Sequence, residues 1–241
     1  MNVKSIILGA AICAVAFPNL ALADSKTREM EANRRIMFNY AKCVVKERHD
    51  RASEAILSNV DNGTILRKYS DLIREDCLVN AVGGGAEMQF GGDLYRYALA
   101  DALVSADFAK TSDTDFSNRL PLAHTAMPSQ SELDKYLASV KSKRKREEAQ
   151  ANFDKQASIA WLSRFGECVV RQNPIKARMW LLTPTDIAEE TSRISDLRSA
   201  FNDCLDNGTV KFNRVIIRGT VALNYYRLAK ATVQPVAEKA K

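Results

Sequence analysis

The four cysteines Cys43, Cys77, Cys168 and Cys204 have the clearest chemistry in this chain of 241 residues. The fifth cysteine, Cys13, lies within an apolar N-terminal run. Zinc sites usually contain closely spaced Cys pairs or nearby His pairs, and neither accompanies the four later cysteines. An even number of cysteines in an exported chain favours disulfides. The sequence therefore predicts two disulfides and no metal site.

The two histidines, His49 and His124, are the other candidates for acid–base chemistry. His49 lies at a junction between predicted helices, where capping at the surface is its expected role. His124 lies in an irregular linker without catalytic spacing around it. The chain lacks the common catalytic and phosphate-binding motifs, and Gly83–Gly85 is expected to be a flexible hinge. We therefore predict no catalytic residue and no cofactor.

Arg96 and Arg218 recur as polar residues within apolar helical patterns, each six residues after a phenylalanine. They could be two equivalent contacts for an anion or a partner. Alternatively, each could stabilise neighbouring helices by pairing with a carboxylate, which is the role we favour. Asp93 and Asp101 are the local candidates for pairing with Arg96, whereas Arg218 has no Asp at the matching positions.

The strongest basic cluster is the segment 141–146, Lys-Ser-Lys-Arg-Lys-Arg. Its candidate contacts to an anionic surface or partner are Lys141, Lys143, Arg144, Lys145 and Arg146. Glu147 and Glu148 follow at helical spacing and would screen these charges on an exposed helix. No aromatic residues interleave with the cluster, so stacking on single-stranded nucleic acid is not expected.

Similar sequence segments indicate the helices that position these residues. Four segments of the first half of the chain match four segments of the second half, in the same order. The matching ranges are 40–46 with 165–171, 51–57 with 176–182, 76–78 with 203–205, and 90–96 with 212–218. The first pair shares Cys-Val-Val, the third Asp-Cys-Leu and the fourth Phe-x5-Arg. We therefore predict two copies of one unit, with a longer glycine-rich loop in the first copy.

Apolar residues at helical spacing predict helices in both copies. In the second copy, one helix ends near Gln172 and a short one covers 174–182, because Pro174 suits a first helical turn. A third runs from 183 to the second cysteine, and a fourth, the most buried, covers 212–231. The predicted fold class is all-α: two tandem copies of a roughly four-helix unit, each with one disulfide inside the repeat.

Symmetry between the copies predicts the pairing of the cysteines. Each copy has one cysteine in its first long helix and one near the end of its third. Cys43–Cys77 and Cys168–Cys204 is the pairing that follows this symmetry, among three possible ones. The predicted domains are a signal peptide at 1–23, a helical repeat at 24–107, a polar and basic linker at 108–149, a second helical repeat at 150–232 and a tail at 233–241.

The N-terminal segment predicts export. Lys4 precedes an apolar run at 6–17, and Ala21-Leu22-Ala23 precedes Asp24. This is the pattern of a secretory signal peptide cleaved between Ala23 and Asp24. The apolar run is too short to span a bilayer, so we expect a periplasmic or secreted protein without a transmembrane segment. The formal net charge of +6 fits ordinary solubility or contact with an anionic partner.

In duplicate after a signal peptide, the layout Cys-Val-Val, Cys-Leu and Phe-x5-Arg resembles a group of secreted bacterial proteins with no assigned activity. The resemblance implies export and duplication and adds no site residue. We expect a non-enzymatic binding or structural protein of the cell envelope. Its partner would be an envelope protein or an anionic surface, and nucleic acid is not expected. The alternative is an envelope hydrolase with a site between the repeats.

Overall fold

The computed structural model describes residues 19–82, 93–111, 115–185, 187–205 and 213–232. Within these ranges the chain forms eleven α-helices and one short 3-10 helix, without a β-strand. The prediction of an all-α fold is thereby confirmed. Most of the predicted signal segment, the glycine-rich loop at 83–92, the phenylalanines Phe90 and Phe212, and the tail at 233–241 lie outside the described residues.

Among the described residues, five α-helices lie in the first half of the chain and five in the second. The first half contains α1 (Asn19–Glu47), α2 (His49–Leu57), α3 (Asn62–Lys68), the 3-10 helix (Ser70–Leu72), α4 (Glu75–Val82) and α5 (Leu94–Asp107). A further helix, α6 (Gln130–Ser139), lies in the predicted linker. The second half contains α7 (Lys143–Gln172), α8 (Pro174–Leu182), α9 (Ala188–Asp196), α10 (Arg198–Asp203) and α11 (Arg214–Lys230).

Local signals set several helix ends. The side chain of Asn173 accepts a hydrogen bond from Lys176 N at 3.2 Å, and α8 then covers the predicted range from Pro174. Asp61 caps α3 in the same way, accepting from Thr64 N at 2.9 Å. Such caps satisfy N–H groups that the first helical turn leaves without partners.

The third helix predicted for the second copy is wrong as one continuous helix. Leu197, with φ −92° and ψ 2°, ends α9 and begins α10. Its side chain is fully buried in the core. The helix is therefore interrupted at a buried apolar residue, which apolar spacing alone places within one continuous helix.

The core lies around α5 and α11, which pack against each other along their lengths. Helix α1 packs on α5, α7 packs on α11, and α2 and α8 each contact both central helices. Two glycines allow close approach of the helices. A Cβ atom at Gly219 of α11 would overlap with the side chain of Tyr97, and one at Gly166 of α7 would lie 2.8 Å from the carbonyl oxygen of Thr220.

Buried tyrosines fill much of this core and keep their hydroxyl groups bonded. The rings of Tyr40 and Tyr95 have centroids 5.8 Å apart. The Tyr95 hydroxyl donates to the carbonyl oxygen of Leu72 at 2.6 Å, and the Tyr40 hydroxyl accepts from Arg74 N at 2.9 Å. Because a buried hydroxyl without a partner is costly, these bonds let large side chains be buried at little cost.

Two disulfides hold the outer helices, and both predicted pairs are confirmed. Cys43–Cys77 joins α1 to α4 with a Cα–Cα distance of 5.5 Å. Cys168–Cys204 joins α7 to the end of α10 with a Cα–Cα distance of 5.8 Å. Disulfides of this kind suggest an oxidising compartment outside the cytoplasm. Among the described helices, none combines the length and apolar character needed to cross a membrane.

Candidate functional site

A cleft of about 450 Å³ opens between α1, α5 and α11. Its volume lies within the range of small-molecule sites, which are typically about 300–1,000 Å³. Apolar atoms form most of the lining surface, and the apolar side chains there are Met37, Phe38, Leu94, Tyr97, Ala98 and Val215. Charged and amide side chains also line it, and they are Glu31, Asn33, Arg34, Asp101, Asn213, Arg214 and Arg218; Thr185 and Gly219 complete the lining. The first half and the second half of the chain therefore both contribute to it.

The cleft forms where the amino-terminal end of α11 meets α1 and α5. The Asn213 side chain begins α11 by accepting a hydrogen bond from Val215 N at 2.8 Å. Helical spacing then points Val215, Arg218 and Gly219 toward the first half. Because Gly219 has no side chain, Tyr97 can lie directly against the α11 backbone at the floor of the cleft.

Arg218 is the buried centre of the charge network beside this floor. Its Nε donates to Asp101 Oδ2 at 2.8 Å, and its Nη2 donates to Asp101 Oδ1 at 3.3 Å. The same guanidinium donates to the carbonyl oxygens of Trp180 at 3.3 Å and Leu181 at 2.8 Å. These carbonyls belong to the last turn of α8, where helical N–H partners run out; the Trp180 carbonyl also accepts from Thr183 N at 3.1 Å.

Glu190 of α9 completes the network from the other side. It is fully buried and accepts a hydrogen bond from Arg218 Nη1 at 3.1 Å. Arg34 of α1 approaches the same carboxylate with two nitrogens, of which Nη1 donates to Oε2 at 2.9 Å. The Trp180 indole N–H donates to Glu190 Oε1 at 3.4 Å. The network thus joins α1, α5, α8, α9 and α11.

Burial and pairing act against each other on these charges. Burial raises the pKa of the Asp101 carboxyl, and the neighbouring Arg218 offsets only part of this effect. Burial also opposes the charge on Arg218, but Asp101 and Glu190 outweigh it and raise the pKa of its guanidinium. The contacts of Arg218 with Asp101 and Glu190 thus favour the charged forms that burial disfavours.

Arg96, the other arginine of the sequence repeat, lies elsewhere and does not meet Arg218. Its Nη2 donates to Asn59 Oδ1 at 2.6 Å. The two local candidates for pairing with Arg96 make other contacts: Asp101 pairs with Arg218, and Asp93 accepts from Asn62 N at 3.3 Å. Five helical residues separate Arg96 from Asp101, a rotation of about 140°, so the two side chains face different neighbours.

The basic cluster at 141–146 lies outside the cleft, at the start of α7. All side chains of the cluster are exposed, and partly buried positions begin only further along the helix. Lys143 Nζ lies 3.8 Å from Glu147 Oε1, which agrees with the predicted screening by acidic neighbours. Its contact with an anionic surface stays a prediction.

His124 takes part in an arrangement that the sequence analysis missed. Its Nδ1 lies 2.7 Å from Ser163 Oγ, and its Nε2 lies 2.5 Å from Glu167 Oε2. Ser163 and Glu167 are four residues apart on α7, a spacing that places them on one helix face. His124 is contributed by the linker, 39 positions before Ser163, and no sequence pattern indicates that distant contact.

The Ser163–His124–Glu167 row resembles the order of groups in a serine hydrolase. However, Ser163 lies in the interior of α7, where the neighbouring backbone N–H groups are used in helical hydrogen bonds. They are not free to stabilise an oxyanion. Glu167 also accepts from Arg171 Nε at 2.7 Å and from Leu122 N at 3.2 Å. The row therefore attaches the linker to α7.

His49 lies at the start of α2, as predicted, and pairs with a carboxylate. Its Nε2 lies 2.6 Å from Asp107 Oδ1. The hydrogen bond that this imidazole donates to the Asp107 carboxylate raises the pKa of His49. The described residues contain no cluster of three or more side chains that could hold a metal ion.

Comparison of the chain with protein-family models, with curated proteins and with solved structures finds no match. The cleft and its charge network therefore carry the functional argument.

Proposed function

We propose that this is an exported, non-enzymatic binding protein of the cell envelope that holds a small, mainly apolar molecule in the cleft between α1, α5 and α11. The observation that carries the proposal is the cleft itself, with about 450 Å³ of space and a mainly apolar lining. An apolar cleft beside a few fixed polar groups is the usual form of a small-molecule site. The two disulfides support export, since such bonds persist in oxidising compartments.

The polar end of the ligand would lie near Arg214. This residue is half-exposed at the amino-terminal end of α11, with Nη1 4.0 Å from Glu190 Oε2. The positive end of the α11 dipole adds to its field. Glu31 lies at the α1 side of the same cleft and would disfavour an anion there. We therefore propose an anionic head group directed toward Arg214 and away from Glu31.

We also propose that the chain consists of two tandem copies of one unit, as the sequence predicts. Several features support this organisation. Helices α2 and α8 both contain nine residues, and each follows a long helix that carries the first cysteine of a pair. Helices α5 and α11 follow the second cysteine and pack together at the centre. The cleft would then be a joint site of the two copies.

The test is titration of the purified protein, with both disulfides intact, by the apolar anion 1-anilinonaphthalene-8-sulfonate. We expect saturable binding followed by its fluorescence, and displacement by dodecanoate. Ala98→Trp and Met37→Trp would each fill the cleft and weaken binding about tenfold or more, which corresponds to ~1.4 kcal/mol. Tyr136→Ala is the matched control, because it removes an exposed aromatic ring outside the cleft.

The head-group assignment has its own pair of variants. Arg214→Met should weaken binding of dodecanoate and leave binding of dodecanol unchanged, whereas Glu31→Gln should strengthen binding of dodecanoate. Probe affinity that is the same in both cleft-filling variants as in the unmodified protein would refute the site. Equal effects of Arg214→Met on dodecanoate and dodecanol would refute the anionic head group alone.

The alternative function, an envelope hydrolase with a site between the repeats, draws on one observation. The same cleft contains the carboxyl groups of Glu31 and Asp101, and burial raises the pKa of Asp101. Groups of this kind occur in active sites. A screen for hydrolysis of envelope polymers with the protein and its Asp101→Asn variant would favour this alternative if activity appeared and depended on Asp101.

A further inference from the structure

Arg96 of α5 and Arg227 of α11 form a second buried cationic site, away from the cleft. Their exposed fractions are 7% and 6%. Neither lines the cleft between α1, α5 and α11. Both are arginines at the packed centre of the fold, and both need an explanation, because transfer of a charged group from water into a protein costs several kcal/mol when no counter-charge is present.

Hydrogen bonds connect the two guanidinium groups through shared neighbours. Arg96 Nη2 donates to Asn59 Oδ1 at 2.6 Å. The amide nitrogen of the same Asn59 donates to the carbonyl oxygen of Ala123 at 3.0 Å. Arg227 Nη2 donates to that carbonyl oxygen at 2.8 Å. Asn59 and Ala123 thus lie between the two arginines and bring them into one cluster.

Each arginine keeps one buried N–H group without an acceptor. These groups are Arg96 Nε and Arg227 Nη1, and both nitrogens are hidden from solvent. A buried donor without an acceptor costs about 1–3 kcal/mol, and more when it is charged. Among the ion pairs of the described residues, Arg218 has two carboxylate partners, whereas Arg96 and Arg227 have none within 4.0 Å.

Two carboxylates of the described residues act on these arginines electrostatically, and both are engaged elsewhere. Glu167 acts on Arg227 at longer range, but it is bound to Arg171 and to the linker at Leu122. Asp93 acts on Arg96 at longer range, but it accepts from the backbone of Asn62. The described part of the chain therefore supplies two close positive charges and no anionic oxygen in direct contact with either.

Arginine side chains are cations at neutral pH, and burial acts against this charge at both positions. Burial lowers the pKa of the Arg96 guanidinium. Burial, together with repulsion from Arg96, lowers the pKa of Arg227 to about 10. A guanidinium with that pKa remains a cation at neutral pH, so deprotonation does not relieve the repulsion.

We propose that Arg96 and Arg227 bind a small inorganic anion of halide size between α5 and α11. The anion would accept hydrogen bonds from Arg96 Nε and Arg227 Nη1 and would neutralise part of their charge. Charge-assisted hydrogen bonds to arginine are among the stronger ones. The size follows from burial, because two side chains that are only 7% and 6% exposed leave little access for a larger oxyanion. The site would stabilise the contact between the two central helices.

The test measures the thermal unfolding midpoint while chloride replaces gluconate at constant ionic strength. Gluconate is too large for the site, so the exchange separates binding from general screening. We expect a saturable rise of about 5–10 °C at about a hundredfold excess over Kd. Fluoride or bromide should also stabilise the protein, and phosphate at the same ionic strength should not.

Matched variants locate the effect. Arg227→Met and Arg96→Met each remove one charge and keep an unbranched side chain, and each should abolish the saturable chloride effect. Lys145→Met removes an exposed cation outside the site and should retain it. If either arginine variant fails to fold, broadening of the chloride NMR signal by the unmodified protein supplies a direct measurement.

Three results would overturn the proposal. The first is an unfolding midpoint that is the same in chloride and gluconate, which would leave a buried water molecule as the acceptor. The second is a chloride effect that persists in Arg227→Met. The third is stabilisation by phosphate but not by halides, which would contradict the small size of the site. Binding of apolar ligands in the cleft does not enter this test, so failure here leaves the proposed function standing.

Discussion

Arg218 and Asp101 form a two-point ion pair, with Nε–Oδ2 at 2.8 Å and Nη2–Oδ1 at 3.3 Å, although 117 positions separate them in the chain. Both side chains are almost entirely buried. The pair connects the two central helices, α11 and α5, and lies directly beside the cleft. It is the contact by which the second half of the chain neutralises a buried charge of the first.

Removal of one partner of this ion pair should therefore strongly destabilise the fold. Arg218→Met would leave Asp101 buried without its cation, and we expect a loss of about 3–5 kcal/mol in the free energy of unfolding. Urea unfolding followed by circular dichroism measures it. The control is Glu189→Gln, which breaks an exposed pair with Arg193 and should cost less than about 0.5 kcal/mol. Equal losses in the two variants would contradict a special role for the buried pair.

The two disulfides should stabilise the fold by similar amounts, because they close chain segments of similar length, 34 and 36 residues. In the chain-entropy model, each contributes about 4 kcal/mol. We expect the double variants Cys43→Ser with Cys77→Ser, and Cys168→Ser with Cys204→Ser, to lower the urea midpoint to a similar extent. A midpoint that one pair leaves unchanged would show that the corresponding half retains its packing without the bond.

Gly219→Ala should disrupt the contact between the central helices. Its added Cβ would overlap with Tyr97 Cβ and Cγ, and overpacking of this kind usually costs about 1–3 kcal/mol or more. The control is Gly63→Ala in α3, where the nearest atom is the flexible side chain of Asp61 at 3.1 Å. That change should alter stability by less than about 1 kcal/mol. Thermal unfolding of both variants compares them, and a neutral Gly219→Ala would show that α5 and α11 can separate slightly.

His49 should give the protein a pH-dependent contribution to stability. Its pKa is raised in the folded state by Asp107, so the folded protein holds the proton more tightly. The contribution is complete below the unfolded value of 6.5 and disappears as pH rises through the folded pKa. Asp107 itself has a lowered pKa, so its share appears only above the unfolded value of 3.8.

We therefore expect the stability advantage over His49→Gln to be larger near about pH 5.5 than near about pH 8. Its size should be below about 1 kcal/mol, because the imidazole is substantially exposed. Asp50→Asn is the control, since Asp50 is fully exposed and the main partner is Asp107. An NMR titration that placed the pKa of His49 below 6.5 would contradict this prediction.

The sequence was sufficient to predict features that depend on local sequence patterns and on the recurrence of similar segments. Pro174 and the helical spacing after it predicted the limits of α8, and the recurrence of Cys-Val-Val predicted the correct partners for Cys43 and Cys168. The break at Leu197 could not be predicted, because a buried leucine suits either a straight helix or a turn toward the core. Which of the two conformations the chain adopts at Leu197 depends on the surrounding tertiary packing.

The contacts of the candidate site could not be predicted from the sequence to the same extent, for a physical reason. Comparison of two similar segments relates equivalent positions, and so it predicted like roles for Arg96 and Arg218. Their different neighbours come from tertiary contacts: Asp101 of the first half meets Arg218 of the second, whereas Asn59 meets Arg96 within the first half. The pairing of His124 with Ser163 is likewise set by the path of the linker, which carries no periodic pattern.

The charge network also has a consequence for the order of events during synthesis. Asp101 and Arg34 belong to the first half of the chain, while their partners Arg218 and Glu190 belong to α11 and α9. Because the chain is synthesised from its N-terminus, Asp101 is made long before Arg218. The first half can form its helices early, but its charged interior closes only when the last helix arrives, so completion of the chain itself would trigger the final folding step.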